Sequence, residues 1–214
     1  SYAGAGETFD AGETYVVFGS GNGSAASLDL STLDGSNGFR LDGIDAGDWS
    51  GHSVSTAGDV NGDGYADILV GGYGADGFTG ETYVVFGSGS EFAASLDLST
   101  LDGSNGFRLD GIAAGDRSGI SVSTAGDLNG DGYDDILVGA PYADAGATYV
   151  VFGSGSEFAS SVDLSTLDGD NGFRLDGIVA MPTLGNSVST GGDFNGASYP
   201  DIWVGAFRAG TYSG

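Results

Sequence analysis

The sequence predicts an all-β fold, a β-propeller segment made of four-stranded antiparallel blades. Two observations carry this reading. The first is repetition. Tyr-Val-Val-Phe-Gly-Ser-Gly begins at Tyr15, Tyr83 and Tyr149, Phe-Arg-Leu-Asp-Gly at Phe39, Phe107 and Phe173, Ser-Val-Ser-Thr at Ser53, Ser121 and Ser187, and Asp-x-Asn-Gly at Asp59, Asp127 and Asp193. All four markers step by 68 and then 66 residues, so the chain holds three copies of one unit. The second is texture. Each copy consists of short Val, Ile, Leu, Phe and Tyr runs bounded by Gly, Asp, Asn and Ser, which is the pattern of strands joined by turns.

The middle copy illustrates each element. Residues 107–109, 119–125, 135–139 and 148–152 are its four strand candidates, each short, apolar and closed by glycine or aspartate. Four strands per repeat is the blade unit of a propeller. No segment sustains a 3.6-residue apolar period with caps, and only residues 92–101 have room for a helical turn.

Composition narrows the function classes. The formal charge is −25 and lysine is absent, so nothing neutralises nucleic-acid phosphates. The charged partners that suit such a surface are cations. There is no cysteine, which excludes disulfides and thiolate metal sites. No apolar run approaches the length of a membrane-spanning helix. The chain opens in mid-pattern at Ser1, as expected of a processed or excerpted sequence.

One loop carries chemistry. Asp59, Asn61, Asp63 and Asp67 place oxygen side chains at positions 1, 3, 5 and 9, and the carbonyl of Tyr65 stands at position 7. Asp127, Asn129, Asp131, Tyr133 and Asp135 repeat the set. Hard oxygen donors in a flexible loop suit Ca²⁺, and the glycine at position 6 permits a sharp turn. Position 12 is Val70 or Val138, where an EF-hand needs glutamate, and the flanks read as strands, so the loop closes a hairpin. The competing reading is an Asp/Asn/Gly turn that binds nothing. The repeated oxygen spacing favours calcium, with the weak affinity of extracellular modules, about 10⁻⁴ to 10⁻³ M. The third loop keeps Asp193, Asn195, Tyr199 and Asp201 but has Ala197 and Ser198 at positions 5 and 6. It is expected to bind weakly or not at all.

These residues resemble the FG-GAP repeat of the integrin α-subunit β-propeller and its bacterial relatives. Phe152-Gly153, Gly139-Ala140-Pro141 and the calcium loop followed by Ile-Leu-Val-Gly carry the likeness. The resemblance implies blades that begin with the strand before the calcium loop. It divides the chain into a half blade at 1–50 (strands C and D), full blades at 51–112 and 113–178, and a half blade at 179–214 (strands A and B). The chain is then about three blades, one of them split between its ends. It is expected to act as a homo-oligomer by half-blade exchange or as part of a longer propeller.

On the face opposite the calcium loops, Asp48, Trp49, Tyr73, Phe78, Arg117 and Tyr142 form a candidate partner surface for a protein or glycan. The alternative is that these aromatics only pack between blades. Arg40, Arg108 and Arg174, each two residues before an aspartate, read as structural ion pairs. The single histidine, His52, is not repeated, and no serine has an arguable base, so no catalytic site is expected. The function expected is an extracellular or cell-surface calcium-binding module for assembly, adhesion or recognition, without insertion into a membrane. The alternative is a non-catalytic accessory propeller of a larger secreted hydrolase or lyase.

Overall fold

The computed structural model describes residues 11–21, 26–178 and 183–207. Fourteen strands are present among them. Those of the first copy are β1 (Glu13–Val17) and β2 (Gly38–Asp42). They are followed by β3 (Ser53–Gly58), β4 (Asp67–Gly72), β5 (Glu81–Val85), β6 (Ser95–Asp97) and β7 (Gly106–Asp110). Next come β8 (Ser121–Gly126), β9 (Asp135–Ala140), β10 (Ala147–Val151), β11 (Ser161–Asp163) and β12 (Gly172–Asp176). The chain closes with β13 (Leu184–Gly192) and β14 (Asp201–Ala206).

The strands form a β-propeller segment. Two complete antiparallel blades run β3-β4-β5-β7 and β8-β9-β10-β12. A pair, β1-β2, precedes them and a pair, β13-β14, follows. Between the second and third strands of a blade the register is regular. Val70 faces Tyr83 and Leu69 faces Val84, and one repeat later Val138 faces Tyr149 and Leu137 faces Val150.

The structure adds a strand that the four-strand pattern does not include. In the long connection between the third and fourth strands, β6 and β11 reach back to the preceding blade. There β6 pairs in parallel with β2, and β11 with β7. Leu98–Thr100 then forms a 3-10 turn, capped by the Asp97 carboxylate on the Ser99 amide. The helical turn expected at 92–101 is thus this 3-10 turn, placed after a strand.

Blades stack face to face, which buries both faces of the inner strands and explains their unbroken apolar runs. Leu69, Val84, Phe107, Ile136, Val138 and Tyr149 pack in one layer between the two complete blades. Phe39, Leu41, Val70, Tyr83 and Val85 fill the layer on the β1-β2 side. Ala125, Leu137, Val150 and Val188 fill the layer on the β13-β14 side. Close apolar packing on two faces supplies most of the stabilisation of such a sheet. Aromatic stacking marks two of these three junctions: Phe107 and Phe158 lie 4.4 Å apart, as Phe39 and Phe92 do at 4.5 Å.

Candidate metal centre

The loops Asp59–Asp67 and Asp127–Asp135 each join the first two strands of a blade, and their internal geometry is the same. The Asp59 carboxylate accepts the amides of Gly62 (2.8 Å), Asp63 (3.0 Å) and Gly64 (3.0 Å). Asp127 accepts those of Gly130 (2.7 Å), Asp131 (3.0 Å) and Gly132 (3.0 Å). Asn61 Oδ1 accepts the Asp63 amide at 2.9 Å, and Asp63 Oδ1 accepts the Tyr65 amide at 2.8 Å. Asn129 and Asp131 repeat both bonds. Short acidic side chains thus fold the loop on its own backbone. Gly64 and Gly132 sit at φ +89° and +94°, where a side chain is strained.

The ninth-position carboxylates are placed differently. Asp67 and Asp135 are buried. Asp67 accepts the Val60 amide (2.9 Å) and the Gly87 amide (2.8 Å), bracing the loop against the end of the third strand. Asp135 braces Leu128 and Gly153 in the same way. Burial pushes both carboxyls up to about 6; the amide bonds offset part of this and the neighbouring acidic residues add to it. Sequence spacing marked these two as donors; it did not reveal the brace, which depends on a glycine 18 to 20 residues further along the chain.

The donor set suits a hard divalent ion: oxygen only, with three negative side chains per loop and a backbone carbonyl. Among the described residues no three acidic or histidine side chains are gathered closely enough to hold an ion alone. A cation held here would draw on Asn61 or Asn129 and on backbone oxygen as well as on carboxylates. The third loop keeps the fold of the other two. Asp193 accepts the amides of Gly196, Ala197 and Ser198. It lacks the position-5 carboxylate, Tyr199 stands at position 7, and Asp201 accepts from Phe194 and Asn195.

On the opposite face the aromatic residues converge. Trp49 lies 5.2 Å from Tyr73 and 5.6 Å from Phe78. The Arg117 guanidinium stands 4.4 Å from the Tyr142 ring and 5.2 Å from that of Phe78. Asp48 is buried beneath them and accepts the Asp45 amide. Trp49 and Arg117 are equivalent positions in successive repeats, and both adopt positive φ (+52° and +57°). His52 packs its ring edge-on against Tyr73 at 4.5 Å. The repeated arginines are paired: Arg40 with Asp42, Arg108 with Glu81 (3.4 Å) and Asp110, and Arg174 with Asp176 (2.6 Å) and Asp144 (3.2 Å).

Comparison with known proteins agrees with this architecture. The FG-GAP repeat matches residues 50–85 and 118–151. Integrin alpha-PS2 of Drosophila melanogaster is 30% identical over 192 residues, covering 80% of this chain and 12% of that protein. Integrin alpha pat-2 of Caenorhabditis elegans is 35% identical over 179 residues, covering 77% and 14%. Integrin alpha-7 of Rattus norvegicus is 33% identical over 160 residues, covering 73% and 12%. The chain therefore spans about one eighth of the length of these relatives.

Proposed function

We propose that this chain, which belongs to the FG-GAP repeat family, is a non-catalytic extracellular propeller module stiffened by calcium and used in adhesion or surface assembly. The observation that carries the reading is the pair of identically folded oxygen loops, Asp59–Asp67 and Asp127–Asp135. Each hairpin tip carries three carboxylates, and Asp67 and Asp135 tie the tips to the third strand of their own blades. Calcium supplies the positive charge that offsets their mutual repulsion. Asp59, Asn61, Asp63, Asp67 and the Tyr65 carbonyl hold it in the first loop. Asp127, Asn129, Asp131, Asp135 and the Tyr133 carbonyl hold it in the second. The opposite face, with Trp49, Tyr73, Phe78, Tyr142 and Arg117, recognises a protein or glycan.

Millimolar calcium outside cells matches a weak site. An ion at ten times its dissociation constant adds about 1.4 kcal/mol. Melting in calcium, magnesium or chelator tests the reading. Calcium is expected to raise the melting temperature by several degrees over chelator, and magnesium by less. Asp59→Ala together with Asp127→Ala is expected to remove the calcium increment. A melting curve indifferent to calcium in the unaltered chain would sink it.

A further inference from the structure

We infer that two peptides of the oxygen loops, Asn61-Gly62 and Asn129-Gly130, are self-modifying sites, where the fold promotes loss of ammonia from the asparagine side chain through a succinimide ring. The chemistry needs only the loop's own groups and water, not an ion.

Seven of the eight asparagines in the chain precede glycine. Glycine has no Cβ, so its amide nitrogen can approach a neighbouring side-chain carbonyl that a larger residue would shield. Asn22 lies outside the described residues. The other six asparagines of such pairs differ in which way the side chain turns.

Asn37, Asn105 and Asn171 stand just before β2, β7 and β12 and turn back along the chain. Their Oδ1 atoms accept the amides of Asp34 (3.1 Å), Asp102 (3.0 Å) and Asp168 (3.0 Å). Their Nδ2 atoms donate to the carbonyls of Thr32 (3.0 Å), Thr100 (3.2 Å) and Thr166 (3.2 Å). The carbonyl of each Asn-Gly peptide is also held across the sheet, by the amides of Phe18, Phe86 and Phe152 at 3.0 Å. Side chain and peptide are thus each tied to other partners. The glycines have a separate reason to be there: a Cβ on Gly106 or Gly172 would meet the Val84 or Val150 carbonyl at 2.2 Å.

Asn61 and Asn129 turn forward instead. Asn61 Oδ1 accepts the Asp63 amide at 2.9 Å, which closes an Asx turn over the Gly62 peptide. That N–H sits at the distance of an effective oxyanion donor, about 2.7–3.1 Å, and steadies charge that develops on Oδ1 when a nucleophile adds to Cγ. The Gly62 amide itself donates to Asp59 Oδ1 at 2.8 Å. This lies within the reach of a general base, about 2.6–3.2 Å. Asn61 Nδ2 donates to Asp63 Oδ2 at 3.2 Å. The second loop repeats the three contacts. Gly130 donates to Asp127 at 2.7 Å, Asp131 to Asn129 Oδ1 at 2.9 Å, and Asn129 Nδ2 to Asp131 at 2.9 Å. Nucleophile, electrophile and proton acceptor are therefore held together before reaction, which lowers an intramolecular barrier.

The Gly62 nitrogen adds to Asn61 Cγ as its proton passes to the Asp59 carboxylate. The Cγ–Nδ2 bond then breaks, and the proton leaves with that nitrogen as ammonia. Water opens the cyclic imide in one of two ways. Attack at Cγ gives aspartate at position 61 with the backbone unchanged. Attack at the main-chain carbonyl gives an isoaspartyl link, in which the backbone runs through Cγ and is longer by one methylene. The first product keeps an oxygen at the third loop position and adds a negative charge to a loop that already has three. The second displaces that oxygen from the loop. Either change is irreversible, so the two hairpin tips record the age of the chain.

Peptide mapping by mass spectrometry tests this on the full chain, held in chelator at neutral pH and physiological temperature for weeks. The same chain in urea is the control. In urea all the Asn-Gly pairs are expected to react at similar rates. In the folded chain Asn61 and Asn129 are expected to convert at least about tenfold faster than Asn37, Asn105 and Asn171, a difference of about 1.4 kcal/mol in barrier. Asp59→Asn is expected to slow Asn61 and to leave Asn129, the internal control, unchanged. Loop asparagines as inert as the strand ones in the folded chain would overturn the inference, and so would the same ranking in urea. A rate at Asn61 that Asp59→Asn leaves unchanged or raises would overturn the part given to Asp59. With chelator present throughout, failure here leaves the calcium reading standing, and melting in calcium decides that reading separately.

Discussion

Ser198 stands at position 6 of the third loop with φ +74°, where the other loops have Gly64 and Gly132. The left-handed backbone is demanded by Asp193, whose carboxylate collects three successive amides. A serine there is strained, and the loop keeps its shape because the hydrogen bonds outweigh the strain. Ser198→Gly is therefore expected to stabilise the fold by roughly 1 kcal/mol, since it relieves that strain although it loosens the unfolded chain. Chemical denaturation measures this, and a loss of stability would contradict it. The sequence made the Ser198 substitution visible; that the turn survives it is a matter of the Asp193 bonds.

At the scale of the element, the hairpin tip couples charge to folding. Asp67 and Asp135 are pushed up to about 6 chiefly by burial. A carboxyl whose folded pKa lies above its unfolded value near 3.8 favours the folded state while protonated. That contribution is complete below about pH 4 and is lost as the pH rises through about 6. Asp29, Asp34 and Asp102 are lowered by bonds from Ser31, Ser36 and Ser104, and act in the opposite sense at the acid end. In chelator the melting temperature is expected to fall as the pH rises from about 4 through about 6. Calcium is expected to flatten the fall. Asp67→Asn with Asp135→Asn is expected to abolish it, and a fall that persists in that variant would assign it to other groups.

At the scale of the molecule, the two faces of the propeller carry different chemistry because antiparallel strands send alternate connections to opposite faces. One face holds the acidic loops and the other the aromatic cluster around Arg117. Both Trp49 and Arg117 hold positive φ, a cost of the order of 1 kcal/mol or more each. Trp49→Ala with Arg117→Ala is expected to leave folding intact, as judged by melting, and to abolish binding on a glycan and extracellular-matrix array. Unchanged binding would exclude this face as the recognition surface. The stacking of blades also explains why the propeller reads so plainly in the sequence. The inner strands of the two complete blades are buried on both faces, as Leu69 and Val70 are toward opposite layers, so each run is apolar throughout.

The repeat, the strands and the oxygen spacing of the loops were determined by the sequence alone, because each is a local pattern of residue types recurring at 68 and 66 residues. Only the tertiary structure decided that Asp67 and Asp135 brace the next strand, that β6 and β11 join the preceding blade, and that Phe194 and Trp203 lie bare where Val60 and Leu69 are covered. The first depends on how the strands of one blade are paired, and the other two on which blade stands beside which. A neighbour's contact leaves no mark on a single repeat's composition, since the same side chain serves as core or as open edge according to what is stacked against it.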